Sequence, residues 1–183
     1  MIYPILLILL LIALWFAVSY NRFIKQKNMI IEAWSGIDVQ LKRRHDLIPN
    51  VVDSVKAYSI HERELFQKIT ELRIKTMQAV SPDEKSKSES GLSGELKNLF
   101  AVAENYPDLK ASENFLNLQN QLAEIENQIQ FARRYYNGAV RDYNIRVESF
   151  PSMFIAALFN FKKEEFFEIT LSSERESTKV DFK

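Results

Sequence analysis

The first 21 residues, MIYPILLILLLIALWFAVSYN, carry no charged side chain; the first charge is Arg22. About 20 helical residues cross the roughly 30 Å hydrocarbon core of a bilayer, and a backbone there has to satisfy its own polar groups. The run therefore predicts a transmembrane anchor over residues 1–21. Pro4 falls in the first turn, where a missing N–H costs little, and Tyr3, Trp15 and Tyr20 suit the two interfaces. A cleaved leader is the rival reading. It would want a basic residue before the apolar run and a small-x-small site after it, and neither is convincing here. Arg22, Lys25 and Lys27 follow the span while no basic side chain precedes it, so the positive-inside bias places the N-terminus outside and the remainder in the cytoplasm. The same cations also suit lipid phosphates.

Beyond the anchor, enough chain remains for one domain with a real core. The 24 basic and 24 acidic side chains balance, which argues against nucleic acid as a partner. The absence of cysteine excludes disulfides and thiolate chemistry, and 4 Gly and 5 Pro are few turn signals for 183 residues. A few long helices are the expected outcome.

From Tyr20 to Val80 only Gly36 and Pro49 interrupt a helical stripe of Ile30, Trp34, Ile37, Leu41, Ile48, Val52, Val55, Leu65, Ile69 and Leu72. The pattern predicts that the membrane helix continues into a stalk of about 90 Å at ~1.5 Å per residue, kinked near Asp46 by Pro49. Residues 81–95, SPDEKSKSESGLSGE, read as a mobile loop at its tip, followed by a short helix over about 94–105 that ends at Tyr106-Pro107-Asp108. Ser112 is the expected N-cap of a second long helix, with a stripe from Phe115 through Leu122, Ile129, Tyr136 and Val147, which Pro151 ends. The predicted fold class is all-α: an N-terminal transmembrane helix continuing into a long-helix antiparallel up-down bundle over 22–170, then a polar tail over 171–183.

Antiparallel pairing would return Phe150 to the neighbourhood of Trp34. The segment that follows, residues 152–168, carries Phe154, Phe159, Phe161, Phe166 and Phe167 beside Lys162 and Lys163. Its aromatics suit closure of the bundle's end, the preferred reading, or insertion among lipid headgroups.

Catalytic motifs are missing. His45 and His61 both fall on the predicted first helix, too far apart along it to share a metal. His61-Glu62-Arg63-Glu64-Leu65 lacks the second histidine of the zinc-protease motif, and no Glu-x-x-His pair of a di-iron bundle appears. No glycine-rich phosphate loop or nucleophile elbow is present either. No cofactor or enzymatic activity is expected.

Arg44 is more informative, because it occupies a core position of the heptad between Leu41 and Ile48, where a cation needs a partner or a route to water. Asp38, Gln40, Asp46 and Asn50 lie within two turns, and Arg133, Asn137 and Asn144 flank the other stripe. Together they suggest an interhelical polar network that sets register or binds a partner. The alternative is that Arg44 snorkels and the amides face water.

Three blocks, Trp34–Glu62 (WSGIDVQLKRRHDLIPNVVDSVKAYSIHE), Glu104–Phe115 (ENYPDLKASENF) and Arg133–Pro151 (RRYYNGAVRDYNIRVESFP), resemble the LemA family. The resemblance implies a bacterial single-pass protein of the cytoplasmic membrane with an outside N-terminus, a cytoplasmic helical bundle and no settled activity. Some members are linked to a membrane zinc metalloprotease, and one branch to magnetosome membrane formation. The family's polar positions match Asp38, Arg43, Arg44, Asp46, Asn50, Arg133, Asn137 and Asn144, whereas Asn160 stands where a glycine is usual. The expected role is a non-enzymatic scaffold that meets lipids through its anchor and organises a membrane or cytoplasmic protein partner. The alternative is a membrane-shaping or stress-sensing protein using residues 152–168. Ala13 and Ala17, four apart in the anchor, leave a homo-oligomer open.

Overall fold

A computed structural model describes residues 2–59 and 62–167. Among these residues there are six helices and no strand: α1 Ile2–Lys56, α2 Arg63–Gln78, α3 Pro82–Ala103, α4 Pro107–Lys110, α5 Glu113–Glu148 and α6 Met153–Leu158. His61 and the tail over 171–183 lie outside the described residues. The chain divides into two compact units, one of residues up to Leu41 with Asn127–Phe166, the other containing Lys42–Glu126. Both α1 and α5 supply residues to each.

The N-terminal part of α1 is apolar all round. Ile5 through Ile12, and Leu14, each leave more than half of their surface uncovered. A core helix of a soluble protein would bury such side chains, whereas a bilayer solvates them, and this stretch is long and apolar enough to cross a membrane.

In the first unit α1 and α5 run antiparallel. Trp34 packs on Tyr136 with ring centroids 5.3 Å apart, Phe23 meets Tyr143 edge-on at 6.1 Å, and Gln26 bonds to Arg146 and to the Asp142 carbonyl. This register sets Phe150 level with the region of Tyr20 rather than Trp34, which corrects the sequence expectation. The cause is the early end of α1: it stops at Lys56, not at Val80.

The second unit is a four-helix bundle built from the end of α1, α2, α3 and the start of α5, around Ile48, Val52, Val55, Phe66, Ile69, Leu92, Leu96, Leu99, Phe115 and Leu122. The stalk predicted through residue 80 instead folds back after Lys56, with the Tyr58 and Ser59 amides both bonding to the Val55 carbonyl. No Gly or Pro marks this turn. Folding back is favoured because it joins the Val52/Val55 stripe to Phe66 and Ile69 in one core, which a straight stalk would leave in water. Lys56 caps the junction with its ammonium 5.5 Å from the centre of the Phe66 ring.

The predicted loop over 81–95 is helix. Ser81 accepts from the Glu84 amide, Pro82 occupies the first turn, and Asp83 and Glu84 complement the positive end of α3. These are helix-start signals, and the serines that suggested a loop are packing residues. Ser86 and Ser88 are buried, Ser88 Oγ donates to the Glu84 carbonyl, and a methyl at Gly91 would touch Leu72 Cδ2 at 3.5 Å. Small side chains thus let α3 lie close along α2, with Lys68 paired to Glu95. Downstream, α5 begins at Glu113, immediately after Ser112, as its capping signal predicts, and ends at Glu148, before the cis Phe150–Pro151 bond.

Candidate functional site

Arg44, on the core face of α1 in the second unit, is fully buried and does not snorkel. Its Nη1 donates to Glu89 Oε2 of α3 at 2.9 Å and lies 3.4 Å from Glu126 Oε2 of α5; its Nη2 donates to Ser93 Oγ at 2.7 Å. Next to it in sequence, His45 Nε2 is 2.9 Å from Glu89 Oε1. Both oxygens of the buried Glu89 carboxylate are therefore engaged, one by each neighbour. From α2, Arg73 Nε donates to the His45 carbonyl at 2.8 Å.

One buried carboxylate thus bridges two basic side chains, with partners from α1, α2, α3 and α5. Charge-assisted bonds of this kind fix helix register, because a one-residue slip would strand a charge in a low-dielectric interior. Arg44 Nε, also buried, has no hydrogen-bond partner. Among the described residues no group of three or more His, Asp or Glu side chains is placed to hold a metal.

Sequence reasoning placed Arg44 in the core but missed Glu89, Ser93 and Glu126. A signal for Glu89 was present: it lies three residues before Leu92 on the stripe that continues through Leu96, Leu99 and Ala103. Reading residues 81–95 as a loop concealed it. The other polar positions separate into different settings. Asp46 forms an exposed pair with Lys42, and Asn50 is exposed. Arg43 is exposed, Asp38 and Asn137 are half-buried, Arg133 is buried, and each of these four has an interaction of its own.

Asn144, nearly buried on α5 in the first unit, clamps the chain after α6. Its Nδ2 donates to the Glu164 carbonyl and its Oδ1 accepts from the Glu164 amide, both at 2.9 Å. Beside it, the Tyr136 hydroxyl donates to the Glu165 carbonyl at 2.9 Å. Burial, reinforced by the Glu164 and Glu165 carboxylates, pushes that phenol up to about 12, and the Tyr143 phenol is raised by burial and Glu164.

The clamped segment carries the late aromatics. Phe159 packs between Phe16 and Tyr20 of α1 at 5.7 and 4.7 Å, and Phe161 stacks on Phe23 at 4.8 Å with the planes 13° apart. Phe167 is buried, whereas Phe154, Phe159 and Phe166 remain exposed. Among these aromatics some are packed and others remain exposed. The turn between Phe159 and Phe161 is made by Asn160 at φ 55°. Left-handed backbone costs glycine nothing, and asparagine is among the other residues that tolerate it best.

Compared with known proteins, the chain matches the LemA family over residues 33–182. The chain belongs to the LemA family. It is 28% identical over 165 residues to the protein LemA of Metamycoplasma hominis, covering 88% of this chain and 72% of that one. It is 23% identical over 175 residues to the magnetosome proteins MamQ 1 and MamQ 2 of Paramagnetospirillum magneticum, covering 81% of this chain. The chain spans 64% of the length of those magnetosome relatives. None of these LemA and MamQ names is that of an enzyme. Family membership and the apolar N-terminal helix make this LemA-family chain a membrane-associated helical protein.

Proposed function

We propose that this protein is a non-enzymatic scaffold, held in the bacterial cytoplasmic membrane by α1 with its N-terminus outside, that organises a protein partner on the cytoplasmic side. Arg22, Lys25 and Lys27 after the span support that orientation. The observation that carries the scaffold reading is on α5. Phe131 and Tyr135, one helical turn apart, are both exposed, and the Arg134 guanidinium lies 4.6 Å from the centre of the Phe131 ring. Aromatic side chains with arginine are the composition of interface hot spots, and leaving them in water has no folding benefit. A membrane metalloprotease, from the family association, is the first partner to test.

The test is in-cell photocrosslinking of the full chain from position 134, with and without Phe131→Glu and Tyr135→Glu. Recovery of one recurring protein, lost with the double substitution, supports the scaffold. Crosslinks only to lipid reject it.

A second reading, a lipid-interacting membrane-shaping or stress-sensing protein, is favoured by the exposed apolar face around α6. Vesicles reconstituted with the full chain would show a composition-dependent change of curvature that charges introduced in α6 abolish.

A further inference from the structure

From Phe150 to Phe161 the chain reads FPSMFIAALFNF, without a charged side chain, between Glu148 and Lys162. Within this stretch Ile155 and Ala156 are buried, while Phe150, Phe154 and Leu158 expose 78%, 59% and 67% of their surface and Met153 and Phe159 more than a third. The polar groups do not compensate. Ser152 Oγ is spent on the Arg146 and Ser149 carbonyls, and Phe161 N–H closes onto the Ala156 carbonyl. Five large apolar side chains in ten residues therefore face outward from a segment pinned at its far end by Asn144.

What covers them follows from where Phe159 sits. It packs on Phe16 and Tyr20, which belong to the uncharged run ending at Asn21. At ~1.5 Å per residue Phe16 lies roughly 8 Å inside the end of that run and Tyr20 about 2 Å inside. Phe161, stacked on Phe23, lies just beyond it, followed by the exposed Lys162 and by Lys163, which pairs with Glu148. Packed between the levels of Phe16 and Tyr20, Phe159 lies roughly 2–8 Å inside the run, a range that overlaps the 5–10 Å over which interfacial helices bury their apolar face.

We propose that Phe150, Met153, Phe154, Leu158 and Phe159 form a second membrane contact, embedded at the headgroup–acyl boundary of the leaflet in which the uncharged run of α1 ends. The occupant of this face is lipid, because the face is continuous with the bilayer-solvated surface of α1. Two insertion points prevent α1 from rotating freely about its axis, and the second adds volume to one leaflet only. The inference rests on residues 2–20 being a membrane span, and it supplies the lipid contact for the membrane-shaping reading without requiring curvature.

The chain has no cysteine, so single-cysteine variants at Phe154, Leu158, Ile8 and Lys97 can carry an environment-sensitive fluorophore in the full-length protein, reconstituted in phosphatidylcholine–phosphatidylglycerol nanodiscs. Lipids bearing a nitroxide near the top of the acyl chain should quench positions 154 and 158 severalfold more than position 97, whereas aqueous iodide should show the reverse order. Position 8 reports the span independently. If it is lipid-quenched while 154 and 158 are quenched by iodide like 97, the second contact is overturned and the anchor stands. Protection of 154 and 158 from both quenchers would indicate a second copy on this face, and also overturns the proposal. Unchanged helicity of each variant by circular dichroism excludes misfolding, and Leu158 provides a readout that keeps Phe154 intact.

Discussion

Arg44 and Glu89 meet at 2.9 Å across α1 and α3 with 1% and 0% of their side chains exposed. The two residues are separated by 44 intervening positions, and neither has an escape to water, so the helices can pack only where the charges coincide. This pairing turns a set of amphipathic helices with interchangeable leucine and isoleucine contacts into one register.

Removing one partner leaves the other charged and buried, at a cost of about 3–5 kcal/mol, whereas the Lys42–Asp46 pair, with 76% and 60% of its side chains exposed, is worth less than about 0.5 kcal/mol. Denaturant unfolding of the full chain in nanodiscs should therefore rank Arg44→Ala and Glu89→Gln far below Lys42→Ala. Arg44→Met with Glu89→Leu should recover much of the loss. Equal effects of Arg44→Ala and Lys42→Ala would dispose of the register role.

Asn144→Ala leaves the Glu164 amide and carbonyl without their side-chain partners. A loss of about 2–3 kcal/mol is expected from two bonds at a nearly buried site. Hydrogen exchange should show faster exchange at the Glu164 amide, with the α2–α3 amides unchanged.

At Asn160, φ 55° favours glycine and penalises branched side chains. Asn160→Gly should stay within about 1 kcal/mol of the parent, and Asn160→Val should cost about 1–2 kcal/mol or more. Thermal unfolding of the two variants side by side decides this; equal midpoints would mean that the backbone at 160 is not left-handed.

The Tyr136 phenol is held neutral up to about 12 by burial and by Glu164 and Glu165. Its folded value is thus above the unfolded value of about 10, so the associated stability is fully present below pH about 10 and is lost as pH rises toward 12. The loss attributable to this group is at most about 3 kcal/mol. Tyr136→Phe should flatten the alkaline limb of a stability–pH curve, leaving the smaller share of Tyr143; an unchanged limb would contradict it.

Much of this architecture is legible in the residues alone. The uncharged run through Asn21, the period from Phe115 to Val147 opened by Ser112, and the cation at a core position in Arg44 are local signals, set by transfer free energy and helical spacing. They determined an N-terminal helix long and apolar enough to cross a membrane, an all-helical domain, a second long helix and the demand for a buried anion. The turn after Lys56 was not legible, because 3.6-residue periodicity continues on both sides and no Gly or Pro interrupts it. For α3 the start signals Ser81-Pro82-Asp83-Glu84 were present, but its serines suit either a loop or close helix packing, and the position of Leu72 against Gly91 shows the packing. Tertiary structure alone decided that Glu89 answers Arg44, that α5 returns Phe150 to the level of Tyr20, and that Phe159 lies against Phe16. Each joins residues distant in sequence, and the gain from burying a stripe or pairing a charge is realised only once the partner surface exists.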